Sequence, residues 1–317
     1  MSGGLPPSGP GMILVFGSLN MDLIVPVPHL PRPGETVLSP AHATAPGGKG
    51  ANQAVAAARA GADVVMAGCV GRDAFGDELL EIVSAAGVDT RPIEPVNAPT
   101  GVAVVCVADD GENNIVVAVG ANGHASHEQV DDTMLAECST LLMQMETPLR
   151  EVFTLAGRAK RAGCRVIVNA APAGPIMPET MDLLIVNEGE ALAVAEAIGL
   201  SAGDAATVAR RLLAEHGLAT VVTLGGEGAL AVTPEGNWRI GCLNIEPVDT
   251  VGAGDAFTGT LAAALDNGMA MPDALRAASV AGALACLEHG AMPSLPDAEA
   301  IDARLGELAP AEPVVLP

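Results

Sequence analysis

The chain has 317 residues, 50% of them hydrophobic, enough for one large α/β domain or two smaller ones around a sizeable buried core. Its 38 acidic residues against 15 basic give a net charge of -23, which excludes the basic footprint that nucleic acid or an anionic membrane surface requires. No apolar run approaches the ~18 residues of a membrane span, and the 6 cysteines form no C-x-x-C pair, so they read as buried thiols of a reducing cytoplasm.

In chain order, residues 1–11 are Gly, Pro and Ser without the charged and apolar regions of a signal peptide, and are expected to be a disordered extension ahead of a start near Met12. Ile13 to Gly17 is a short apolar run ending in glycine, as a buried parallel strand does. Its C-terminal end opens onto Asn20 and Asp22, which are either ligands for something rich in hydroxyls or ordinary turn residues. Residues 23–27 and 36–44 read as strands around a Pro-rich turn. The stretch Pro46-Gly47-Gly48-Lys49-Gly50-Ala51-Asn52-Gln53 follows. It is no Walker A loop, because no Ser or Thr follows Gly-Lys, but its glycines allow a ligand close to a helix over 52–60; a glycine turn with a helix cap reads the same way.

A β-α rhythm begins with a strand over 64–69 and a helix over 74–86. A hairpin over 101–119 interrupts it, with turn residues at 109–114. With residues 23–44 it gives about four antiparallel strands, a small sheet that would cover a ligand with one face and meet a second subunit with the other. The rhythm resumes with strands over 141–146, ending in Glu146, then 165–169 and 183–187. Asn187 and Glu190, three apart at a strand-to-helix junction, suit either a hydrated Mg²⁺ or a helix capping box. A strand over 219–223 leads into Leu224-Gly225-Gly226-Glu227-Gly228, whose glycines permit backbone approach to phosphates. Short strands over 229–233 and 238–242 and helices over 254–266, 272–288 and 297–308 complete the chain.

The stretch Asp249-Thr250-Val251-Gly252-Ala253-Gly254-Asp255 combines two glycines with the start of an alanine-rich helix. Backbone N–H groups and the helix dipole make such a place an anion site. A carboxylate there, Asp255, is either a base that takes a proton from a hydroxyl attacking phosphorus or a first-turn helix residue.

From residue 12 to about 308 the chain resembles the ribokinases of the PfkB-type carbohydrate kinase family, most specifically in the 46–53 and 249–255 stretches. Supporting stretches are 17–22, 143–146, 187–190 and 223–228, in the family's order and spacing. The resemblance implies an α/β fold with a central, mostly parallel sheet flanked by helices, a β lid near 23–44 and 101–119, a tail over 309–317, and a homodimer through the lid. It implies transfer of the γ-phosphate of ATP to the primary hydroxyl of D-ribose, with Asp255 as general base and Gly252, Ala253 and Gly254 as the anion hole. Asn20, Asp22, Gly48, Lys49, Asn52 and Glu146 would hold the sugar. Asn187, Thr223, Gly225, Gly226, Gly228, Gly254 and Ser279 would line the nucleotide. Asn187 and Glu190 would position Mg²⁺ through water, and Asp249, Val251, Ala285, Glu288, Gly290 and Ser294 would hold K⁺. Two positions depart from the family's usual pattern: Ser279, where asparagine is common, and Glu288, where a basic residue is common.

Other readings are a family kinase of fructose, 2-keto-3-deoxygluconate or adenosine, a nicotinamide-dependent oxidoreductase, and a non-catalytic sugar-binding relative. With 4 Phe, 1 Trp and no Tyr there is little to stack a nucleobase on, no G-x-G-x-x-G follows the first strand, and Asp255 with its anion loop argues for catalysis.

Overall fold

The computed structural model of the chain describes residues 11–110 and 112–316. The expected disordered extension therefore falls, up to residue 10, outside the described residues; Gly11 donates its N–H to Asp266 (3.3 Å). Ten strands form one sheet: β1 (Met12–Phe16), β4 (Asp63–Gly71), β5 (Ile93–Val96), β8 (Cys138–Met143), β9 (Arg165–Asn169), β10 (Leu183–Asn187), β11 (Ala219–Thr223), β12 (Ala229–Thr233), β13 (Gly236–Ile240) and β14 (Glu312–Pro313). Their order is β14-β13-β12-β11-β10-β9-β8-β1-β4-β5. From β11 to β5 the pairings are parallel, while β12, β13 and β14 add an antiparallel edge, the last of them from the sequence-expected tail.

Strand side chains alternate between two cores. Ile13, Val15, Val64, Met66, Leu183 and Ile185 pack beneath helices α1 (Lys49–Arg59), α2 (Ala74–Ala85), α7 (Ala253–Asp266), α8 (Met271–Ala285) and α9 (Ala298–Leu305). Leu14, Phe16, Leu141, Met143, Leu184 and Val186 pack beneath α3 (Asp132–Glu137), α4 (Leu149–Ala162), α5 (Glu188–Ala197) and α6 (Ala205–His216). Burial on both faces is why these strands read as continuous apolar runs. Helix α7 is the most enclosed, every residue from Asp255 to Asp266 being buried.

A second sheet, the lid, has the order β3-β2-β6-β7, with β2 (Asn20–Val27), β3 (Ala43–Gly47), β6 (Gly101–Ala108) and β7 (Asn113–Ala118). Three expectations are corrected here, the first being that the strand expected over 141–146 lies at 138–143, so that Glu146 follows it rather than ending it. The strand expected over 36–44 lies at 43–47, because pairing with β2 rather than β-propensity selects Ala-Thr-Ala-Pro-Gly. The lid is not wholly antiparallel: β2 and β6 both leave the core on the same heading and pair in parallel, Asn20 beside Gly101 through Val27 beside Ala108. Strand β7 is exposed throughout, with Val116 69% accessible. No helix among the described residues is long and apolar enough to cross a membrane. All six cysteines are free thiols; Cys69, Cys138 and Cys164 are buried, and Cys106, Cys242 and Cys286 only half so.

Candidate active site

The parallel strands end along one edge of the sheet, with Gly17, Gln144, Asn169, Asn187 and Thr223 at successive C-terminal ends of β1, β8, β9, β10 and β11. That is where open α/β sheets collect ligands. Of the helices that start at this edge without a side-chain cap, two follow a glycine: α1 after Gly48 and α7 after Gly252. Both preceding glycines take left-handed-region φ, 89° and 81°. Closeness also demands glycine, since a Cβ on Gly252 would come within 2.7 Å of the Ala291 Cα.

Helix α7 lies against α1 because Gly259 has no side chain; a Cβ there would stand 2.5 Å from the Gln53 carbonyl oxygen and 2.6 Å from the Ala56 Cβ. One turn earlier this contact brings Asp255 to α1. Asp255 is 8% exposed, and each carboxylate oxygen accepts an amide N–H: Oδ2 from Asn52 Nδ2 (2.9 Å), Oδ1 from Gln53 Nε2 (2.8 Å). The Ala253 N–H makes only a long 3.4 Å bond to the Thr250 carbonyl, so the head of α7 retains weakly engaged donors. Among the described residues Asn52 Oδ1 is buried without a partner, an acceptor that a ligand hydroxyl could satisfy.

The residues expected around the sugar converge on the same place. Glu146 Oε2 accepts from Ser18 Oγ (2.6 Å) and from the Lys49 N–H (3.1 Å), tying the segments after β8 and β1 to the start of α1. Asn20 opens β2, its Oδ1 accepting from Asn122 Nδ2 (2.7 Å), which leaves its own N–H₂ as the donor end of the side chain. Asp22 stands over Gly47, where a Cβ would lie 2.7 Å from its carboxylate oxygen Oδ1. Burial, then the neighbouring Glu146 and Asp255, push the Asp22 carboxyl up to about 7 against the opposing pull of Lys49. For Lys49, burial works against its charge, but Asp255, Glu146, Glu190 and Asp22 outweigh it and hold the ammonium above the ordinary lysine range. Lys49 thus feels the carboxylates of β2, of the segment after β8, and of the heads of α5 and α7.

Along the edge the character changes. Asn187 and Glu190 form a capping box at the start of α5: Glu190 N–H to Asn187 Oδ1 (2.7 Å) and Asn187 N–H to Glu190 Oε2 (2.8 Å). Both sequence readings remain compatible with this, because an amide and a carboxylate at an open junction fit a cation that keeps its own waters. Gly225 and Gly228 adopt φ of 56° and 90°, and the Leu224 N–H bonds the Gly228 carbonyl (2.8 Å), closing the loop after β11. Thr223 Oγ1 reaches the Val186 carbonyl at 3.5 Å. Ser279 is buried and donates to the Gly241 carbonyl (2.6 Å), fastening α8 to the segment after β13.

The segments expected to hold a monovalent cation lie together. Asp249 accepts from the Val251 N–H (3.0 Å) and the Gly290 N–H (2.9 Å), and its own N–H bonds the Cys286 carbonyl (3.3 Å). Ser294 Oγ donates to the Ala291 carbonyl (2.8 Å). The donor set offered by Asp249, Val251, Ala285, Glu288, Gly290 and Ser294 is entirely oxygen, which fits a hard cation, and the 250–254 loop rests on the same segment through Gly252 and Ala291.

Sequence reasoning missed the residues that hold these in place. Gln53, Gln144, Asn169 and Asn122 are all buried and bonded to site residues or to one another. The available signal was polarity in apolar company: Gln53 within an alanine helix, Asn169 ending Val166-Ile167-Val168.

A family model described as pfkB family carbohydrate kinase matches residues 11–298. The chain is 37% identical to the ribokinase of Haemophilus influenzae over 292 residues, 90% of this chain and 95% of that one. The crystal structure of ribokinase from Thermotoga maritima superposes with a TM-score of 0.87 at 33% identity, covering 93% of this chain and 99% of that one. Arabidopsis thaliana ribokinase, solved complexed with ribose and ATP, gives 0.84 at 31% identity over 94% of this chain and 99% of that one.

Proposed function

The chain belongs to the pfkB family of carbohydrate kinases, and from that premise we propose that it transfers the γ-phosphoryl group of ATP to the primary hydroxyl of D-ribose, giving D-ribose 5-phosphate. The observation that carries this reading is Asp255, a buried carboxylate with both oxygens held by amide N–H groups at the head of an uncapped helix. Its carboxylate takes the hydroxyl proton as the sugar oxygen attacks the γ-phosphorus and ADP departs. Backbone N–H groups of Gly252, Ala253 and Gly254 meet the charge on the transferred group. Asn20 donates to the sugar, Asn52 and the ionised Asp22 accept from it, and Gly48, Lys49 and Glu146 complete that side. The backbone at Thr223, Gly225, Gly226 and Gly228 approaches the nucleotide phosphates, with Ser279 behind them.

Mg²⁺ held through water by Asn187 and Glu190 would neutralise phosphate charge. K⁺ held by the 249–251 and 285–294 segments would steady the anion loop that rests on Ala291; equal rates after complete replacement of K⁺ by Na⁺ would remove this assignment. The exposed apolar side chains Ile115, Val116 and Val117 of β7 support a homodimer through the lid, which a strictly monomeric mass by light scattering at micromolar concentration would rule out. The free thiols support a reducing, cytoplasmic setting, and recovery of disulfide-linked forms from cells would oppose it.

The test of the whole reading is a coupled assay over pentoses, hexoses and nucleosides. Ribose is expected to give the highest kcat/KM. A higher value for fructose, 2-keto-3-deoxygluconate or adenosine would reassign the acceptor.

A further inference from the structure

We propose that Gln53 is a positioning residue for the general base, locked by Asn169 and Gln144 so that it presents an N–H, never its carbonyl, to Asp255. The proposal rests on the assignment of Asp255 as base and adds three residues to it. Gln53 and Gln144 are 0% and 1% exposed, and Asn169 is 8% exposed. Buried amides are tolerated only when bonded, so what each is bonded to defines its task.

A side-chain amide can sit either way round, and here a chain of partners decides. Asn169 Nδ2 faces the Ile185 backbone carbonyl (3.0 Å), which can only accept. Asn169 Oδ1 must therefore face Gln53, and the group of Gln53 that meets it must be Nε2 (2.9 Å). That leaves Gln53 Oε1 to accept from Gln144 Nε2 (2.7 Å). The second N–H of Gln53 Nε2 then points at Asp255 Oδ1 (2.8 Å). A backbone carbonyl of β10 thus sets the polarity of a contact on the base in α7.

With Asn52 Nδ2 on Oδ2, the plane of the Asp255 carboxylate is fixed by two donors from adjacent residues of one helix turn. Each oxygen keeps a further lone pair, and the carboxylate cannot rotate to spend it elsewhere. Orientation of that kind acts on the barrier rather than on substrate affinity. The fold accepts a cost for it: Gln144 Oε1 is buried without a partner among the described residues, and a Cβ on Gly17 would overlap it. Glycine at position 17 is what leaves room for Gln144 to reach Gln53. An apolar cluster of the same volume would fill this space without an orphaned acceptor.

The test compares Gln53→Met, Gln144→Met and Asp255→Asn, singly and in pairs, by kcat and by KM for sugar and ATP. A hydrogen bond to a charged group predicts that Gln53→Met lowers kcat roughly tenfold to a hundredfold while both KM values stay within about threefold. Gln144→Met, which does not touch Asp255, lowers kcat a few-fold in the same pattern. In the Asp255→Asn background neither change lowers kcat further by more than about twofold, because both act through the residue already altered. A folded Gln53→Met with kcat within about twofold of wild type, or losses that multiply with Asp255→Asn, overturns the proposal. If Gln53→Met does not fold, the Gln144→Met pair decides by the same criterion. Full activity of Asp255→Asn alone would instead remove the general-base assignment, so the two failures are told apart.

Discussion

Asn20, Glu146 and Asp255 are bonded to partners far away in the chain, whereas Asn187, Glu190 and the 224–228 loop answer to their own turns. Asn20 is held by Asn122, Glu146 by Ser18 and the Lys49 backbone, and Asp255 by Asn52 and Gln53, across separations of 97 to 203 residues. At the other end Asn187 and Glu190 cap each other three residues apart, and the glycine loop closes on itself between Leu224 and Gly228. The difference teaches how the labour is divided. Recognition of hydroxyls and aiming of a base require side chains fixed in advance, and only the assembled core can fix them. Phosphates can be met by backbone N–H groups in glycine-rich turns, which need little help from distant residues. Changes at the first end should therefore be large and coupled, and those at the second small and local.

The largest expected effect is that of Asp255→Asn. Loss of the proton acceptor predicts a fall in kcat of about 10²- to 10⁴-fold, with ATP binding by calorimetry undiminished. The structure adds a cost to this substitution. Both carboxylate oxygens accept from amide N–H groups, and an asparagine can satisfy only one, leaving an N–H₂ facing another donor. A loss of about 1–3 kcal/mol of stability should accompany the kinetic effect, seen as a lower melting temperature. A folded variant retaining more than a tenth of wild-type kcat would defeat the base assignment and, with it, the claim that this end is built around one proton.

Asp22 sharpens the comparison through pH. Its carboxyl titrates near 7 because of burial and of Glu146 and Asp255, with Lys49 opposing them. For function, the ionised form is the acceptor, so kcat/KM for the sugar should rise with pH up to about 7, roughly tenfold per unit on the acid side. For stability the sign is opposite. A carboxyl whose folded value is raised favours folding at low pH, and that contribution is lost as pH climbs through about 7. Asp22→Asn should flatten the acid limb, raise sugar KM at pH 8.5 about tenfold, and melt higher than wild type there by about 2–4 °C per kcal/mol recovered. An unchanged acid limb in Asp22→Asn would assign the titration to another group.

How much of this was legible in the sequence follows the same division. Strands β9, β10, β11 and β12 were readable to the residue because a strand buried on both faces is an unbroken apolar run between turn signals. The glycine turns at 252–254 and 225–228 were readable because their backbone geometry is local. Strand β5, Ile-Glu-Pro-Val, carried no such pattern and exists because β4 offers it a parallel partner. Asn20 and Asp22, readable either as ligands for hydroxyls or as turn residues, lie in β2, since a strand that lines a polar cleft breaks the apolar alternation. Gln53, Gln144, Asn169 and Asn122 were invisible as a group, because their meaning lies in which residue meets which across the fold.

The smallest expected effect tests the local end directly. Glu190 serves the capping box and is the proposed carboxylate for hydrated Mg²⁺, and Glu190→Gln separates the two roles. Glutamine fills the third position of a capping box as glutamate does, so the Asn187 N–H keeps its acceptor and stability should change by less than about 0.5 kcal/mol. What disappears is one negative charge at an open site, whose interactions are screened, so KM for MgATP should rise only about two- to fivefold and kcat hold within about twofold. The Mg²⁺ concentration needed for half-maximal rate should rise in parallel. Asn187→Ala makes the converse change, removing the cap at a cost of about 1 kcal/mol in thermal unfolding. Lys49 gives the limit of this locality, because Glu190 is among the carboxylates that keep its ammonium charged. A hundredfold fall of kcat in Glu190→Gln would mean that this link through Lys49 dominates, and the two ends of the cleft would then work as one coupled unit rather than on separate plans.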